Sequence, residues 1–124
     1  MRCPCGSGET YDECCGRFHS RSAVAPTAPA LMASRFSAFA VGDEAYLRQT
    51  WHRSTRPARI DLDGSVRWRR LEIVDVVSGG PFDDSGVVEF TAFYTSAEGR
   101  AQLHERSRFV REAGQWFYVD GVVR

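Results

Sequence analysis

The run HERSRFVREAGQWFYVDG, residues 104–121, reverses direction near its middle. Two arms rich in β-branched and aromatic residues, QLHERSRFVRE and QWFYVDGVV, flank Glu-Ala-Gly. A link that short joins two strands only as an antiparallel hairpin. On the first arm His104, Arg106 and Arg108 point to one face and Glu105, Ser107 and Phe109 to the other. With residues 112–114 as the turn, Arg106 is expected near Asp120 and Phe109 near Phe117, as cross-strand pairs.

Working outward from the hairpin, the same period of two runs through VRWRRLEIVDVV (66–77) and GVVEFTAFYTS (86–96). SGGPFDDSG and SAEGR supply the turns between them. Ahead of these strands lies TWHRSTRPARI (50–60), where Pro57 breaks any helix, so it reads as an irregular connection. Further upstream the period becomes helical. Thr27 is the expected N-cap, Pro29 fits the first turn, and Met32, Phe36 and Phe39 share an apolar face. Gly42 ends this helix, and Asp43 caps a second, short one through Tyr46 and Leu47. Helices followed by an antiparallel meander predict an α+β domain with the helices on one face of the sheet.

The 124 residues suit one modest domain with a small appendage. Sixteen basic residues balance sixteen acidic ones, which argues against bulk attraction to nucleic acid or to an anionic membrane. Every basic residue is arginine. The densest cluster, RWRR, is split by strand alternation across two faces, and Trp68, Trp116 and Tyr118 read as packing rather than base-stacking residues. The sequence has neither an apolar run of membrane-spanning length nor the apolar core of a signal peptide near Met1, so a cytoplasmic location is expected.

All four cysteines fall within residues 3–15, spaced Cys3-x-Cys5-x8-Cys14-Cys15. In a reducing compartment that clustering favours a metal over disulfides. One structural Zn2+ is the default, since zinc takes four tetrahedral thiolate or imidazole ligands in a closed site; iron on the same thiolates fits the spacing too. His19, four residues beyond Cys15, is an alternative fourth ligand. Gly6 and Gly8 allow a tight reversal, and Ser7 and nearby N–H groups can donate to sulfur. Residues 20–30, Ala-rich with two prolines, read as a linker. The chain thus divides into a knuckle over 1–19, a linker over 20–27 and an α+β domain over 28–124.

The stretch CPCGSGETYDECCG resembles the SEC-C motif, the zinc knuckle at the tail of the SecA translocation ATPase and of several small bacterial proteins. That resemblance implies Cys3, Cys5, Cys14 and Cys15 as the ligands. In SecA the knuckle is implicated in contacts with an acidic chaperone and with ribosomes. Here Glu9, Asp12 and Glu13 stand against Arg2, Arg17 and Arg21, which argues against an acidic partner. Together LMASRFSAF, YLRQTWHRSTRP, VEFTAFY and HERSRFVREAGQWFYVDG resemble the bacterial YchJ family, whose members begin with such a knuckle. The resemblance implies a cone-shaped fold like nuclear transport factor 2 and the SnoaL-type cyclases, with helices across a curved antiparallel sheet and a cavity between them. It implies no particular activity, and a homodimer through the convex sheet is compatible with it.

Glu89, Glu105, His52 and His104 are the residues nominated for acid–base chemistry in such a cavity. No Ser–His–Asp, paired-carboxylate or phosphate-loop pattern accompanies them. Two readings follow. In the first, the protein is a zinc-binding adaptor whose knuckle meets a protein or ribonucleoprotein partner. In the second, it is a small cone-fold enzyme or ligand-binding protein, and those four side chains converge in the cavity.

Overall fold

The computed structural model describes residues 1–60, 62 and 64–124. Among these, helices α1 (Cys15–His19), α2 (Ala28–Val41) and α3 (Glu44–Gln49) precede strands β1 (Arg67–Ser78), β2 (Ser85–Ser96), β3 (Gly99–Glu112) and β4 (Gln115–Val123). Local chemistry sets the helix ends where the sequence places them. Thr27 Oγ1 accepts from Ala30 N at 3.2 Å. Gly42 closes α2 in the left-handed region at φ +79°, its N–H on Ala38 O. Asp43 Oδ1 accepts from Tyr46 N at 3.0 Å and opens α3.

The strands form one antiparallel sheet in the order β1-β2-β3-β4. α2 lies across one face, so the architecture is α+β with helices on one side, as expected. Phe36 and Leu31 from α2, Leu47 from α3, and Val88, Phe90, Phe109 and Trp116 from the sheet fill the core between the layers. Burying each of these side chains contributes about 1.5–3 kcal/mol. Among the described residues no helix is long and apolar enough to cross a membrane.

The β3–β4 register differs from the expected one by one residue next to the turn and by two beyond a bulge. The turn holds two residues rather than three: Ala113 at φ +52° and Gly114 at φ +77°. Paired positive φ angles are what a type I′ hairpin turn requires. Phe109 therefore faces Tyr118, and Phe117 faces Val110. A bulge then leaves Val119 without a partner on β3, so Asp120 meets Arg108 and not Arg106. Arg108 Nε and Nη2 grip the Asp120 carboxylate at 2.6 Å each. The Val119 carbonyl accepts from Thr55 Oγ1 instead. Tyr118 N donates to Thr50 O at 2.8 Å, and His52 N donates to Tyr118 O at 2.7 Å. The irregular connection is thus stitched along β4.

Candidate metal centre and cavity

Residues 1–19 are built by short-range hydrogen bonds. Cys3 N donates to Glu9 O at 2.9 Å and Tyr11 N to Met1 O at 2.8 Å, closing a miniature hairpin. Gly6 and Gly8 turn it, at φ +85° and +89°. The chain then enters α1, where Gly16 N reaches Tyr11 O. A Cβ at residue 16 would stand 2.6 Å from that carbonyl, so the motif admits only glycine there without rearrangement.

This path brings the Sγ atoms of Cys3, Cys5, Cys14 and Cys15 within 4.8 Å of one another. Tetrahedral zinc with bonds of ~2.3 Å sets its sulfurs roughly 3.8 Å apart. Cys5 Sγ and Cys14 Sγ stand 3.7 Å apart. Ser7 Oγ donates to Cys14 Sγ at 3.1 Å, and Cys3 Sγ lies 3.5 Å from Ser37 Oγ of α2. Four thiols this close cannot all ionise on their own. The Cys5 thiol is held low, chiefly by its contact with Cys15, while that same contact and burial push Cys15 up. A cation is what would let the whole set carry charge, so the donors fit a metal.

His19 is used elsewhere. Its Nδ1 is 2.5 Å from Tyr11 OH and its Nε2 is 2.8 Å from Ser34 O, with the ring 4.6 Å from that of Tyr46. It ties the knuckle to α2 and α3. Phe18, 8% exposed, joins the main core. The 20–27 segment is packed as well: Ala25 is buried and Pro26 O accepts from Trp116 Nε1 at 3.2 Å.

Beneath α2 the sheet forms a half-open cavity of about 330 Å³. Phe36, Phe39, Trp51, Trp68, Phe90 and Tyr118 line it, and Arg35 and Glu105 are its charged groups. Of the four nominated acid–base residues only Glu105 reaches it. Glu105 Oε1 accepts from Ser107 Oγ at 2.9 Å and from Tyr118 OH at 3.3 Å. Burial, followed by the Glu105 charge, pushes the Tyr118 phenol up to about 12, so it stays a donor. A Cβ on Gly121 would fall 2.0 Å from Glu105 Oε1, which explains a glycine in β4.

The other three nominated residues lie outside the cavity. Glu89 pairs in register with Arg106 on the opposite face of the sheet. It accepts from Arg106 Nη1 at 2.9 Å and lies 2.6 Å from His104 Nε2, with Asp75 3.3 Å from the same Arg106 nitrogen. His52 sits on Glu112 at 2.9 Å. The convergence that acid–base catalysis in the cavity would need is therefore not formed.

The outer cluster has a pH signature. Arg106 first, then His104, holds the Glu89 carboxyl below its ordinary value of 4.5. A carboxyl depressed by folding stabilises the fold above the unfolded-state value, and that contribution is lost as pH falls through the folded one. Glu89→Gln is expected to flatten the loss of stability below about pH 4.5, read as urea midpoints from pH 7 downward. Parallel curves for variant and wild type would show that the cluster contributes nothing.

Sequence reasoning passed over Arg35 as a site residue. Its signal was present: a charge three residues from Met32 and four from Phe39, on the helix face meant for the core.

Comparison with known proteins matches both parts. The family described as "YchJ, middle NTF2-like domain" matches residues 27–121, and the SEC-C motif matches residues 2–17. A UPF0225 protein of Streptomyces coelicolor is 55% identical, over 96% of this chain and 93% of its own. One from Corynebacterium glutamicum is 52% identical, over 98% and 97%. The solution structure of a SEC-C motif protein from Rhodopseudomonas palustris superposes with TM-score 0.86 at 32% identity, over 100% of this chain and 99% of that one. A SEC-C motif protein from Psychrobacter arcticus gives 0.78 at 25%, over 98% and 82%.

Proposed function

This chain belongs to the YchJ (UPF0225) family of SEC-C motif proteins, and on that premise we propose that it is a cytoplasmic adaptor built on one structural zinc ion. Cys3, Cys5, Cys14 and Cys15 are the ligands. The observation that carries this reading is the donor set: four sulfurs within 4.8 Å, braced by Ser7 and Ser37. When bound, the ion supplies the charge that keeps all four sulfurs as thiolates and the folding energy that so short a segment lacks. Four protein ligands leave no open position for a substrate, which favours a structural over a catalytic metal. The exposed loop Gly6–Thr10 and the exposed Arg17 are then free to meet a protein or ribonucleoprotein partner.

Elemental mass spectrometry on protein from its own host tests the metal. One zinc per chain is expected, lost in Cys14→Ser/Cys15→Ser; stoichiometric iron, or no metal, would overturn the assignment. For the partner, the tagged chain is recovered from the same host by quantitative proteomics. A defined protein that accompanies wild type and is lost with the cysteine pair supports the adaptor. Equal recovery by both argues against it.

A further inference from the structure

We propose that the cavity beneath α2 binds a small aromatic carboxylate, gripped by the unpaired edge of the Arg35 guanidinium. Arg35 is 3% exposed. Its Nη1 donates to Leu47 O at 2.9 Å and to Thr50 Oγ1 at 2.7 Å. Among the described residues no acceptor takes Nε or Nη2, and no carboxylate forms an ion pair with the group. Burial lowers its pKa only to about 10, so it remains a cation at neutral pH. Buried charges are ordinarily paired, because an unpaired one is expensive to desolvate. Here the faces of Tyr118 and Trp51, at 4.6 and 5.1 Å, supply part of the compensation.

The rest of the site narrows the ligand. The free Nε/Nη2 edge is a planar fork of the kind that binds a carboxylate through two parallel hydrogen bonds. Apart from Arg35 and Glu105, the large side chains around the cavity are apolar or aromatic, which suits a flat ring system. Glu105, also at the cavity, limits the occupant to one negative group: a phosphate dianion would be repelled by it. Trp51 Nε1 is buried with no partner among the described residues, so the wall beside Arg35 already holds an unmet donor.

The test uses the full metal-loaded chain and titration calorimetry with 2-naphthoate and, as its uncharged counterpart, 2-naphthalenemethanol. Wild type is expected to prefer the carboxylate by about tenfold or more. Arg35→Met should bring the ratio to roughly one. Ala92→Phe, which fills the cavity and leaves Arg35 alone, should abolish binding of both. The Arg35 Nε–H proton resonance of wild type gives a readout that needs no variant: naphthoate should shift it and the alcohol should not. Failure of naphthoate to bind at millimolar concentration, equal affinity for both probes, or an unmoved Arg35 resonance would overturn the proposal.

Discussion

Cys14→Ser/Cys15→Ser is expected to lower the thermal midpoint of the entire chain, not merely to unfold its first residues. The reason is the docking of the knuckle. His19 holds Tyr11 with one nitrogen and Ser34 of α2 with the other, and Phe18 sits in the main core. One part-buried hydrogen bond, His19 to Ser34, at about 1 kcal/mol and one buried phenylalanine at about 2 kcal/mol link the parts. Losing both amounts to about 3 kcal/mol, or roughly 12 °C. Chelator-treated wild type should fall by a similar amount and recover on adding zinc. Scanning calorimetry decides it: an unchanged midpoint in the variant would mean that knuckle and domain fold independently.

Phe109→Ala should destabilise by about 3–5 kcal/mol. Phe109 is 1% exposed, and its ring meets Tyr118 edge-on at 5.7 Å. The bulge at Val119 and the stitching to Thr50 hold its surroundings in place, so the vacated space cannot collapse easily. Phe82, 93% exposed, supplies the contrast: Phe82→Ala should stay within about 0.5 kcal/mol. Urea unfolding of the two variants measures both. Comparable losses at the two positions would contradict this placement of the core.

What was legible beforehand follows the range of the interactions involved. Caps at Thr27 and Asp43 and the stop at Gly42 act over three or four residues, so spacing alone revealed them. The cysteine cluster is equally local. The place of Glu105 was readable because it shares a strand face with Phe109, a residue certain to seek the core. Its neighbours were harder. Alternation says that successive side chains on β2 diverge, but only the register of β2 on β3 puts Glu89 opposite Arg106 and away from the cavity. The Arg106–Asp120 expectation failed for the same kind of reason: a turn one residue shorter and a bulge one residue long move Asp120 by two places. The surroundings of Arg35 were harder to read, because Leu47, Thr50, Trp51 and Tyr118, which enclose it, come from three other parts of the chain.

The meander order also bears on how the chain assembles. Each strand pairs with its successor in sequence, and Ala97–Glu98 and Ala113–Gly114 close two of the three links. Such hairpins lose little chain entropy on closing. The clamp from Trp116 to Pro26, by contrast, spans 90 residues, and Ala28 N must find Gly79 O across about two-fifths of the chain. Contacts that distant form late, because the loop must close before they reward it. A molecule caught midway therefore has its strands paired and its helices loose, with Val88, Phe90 and Phe109 bare on the open face. That half-assembled sheet is the form of this protein most prone to self-association, and the docking of α2 is what ends its vulnerability.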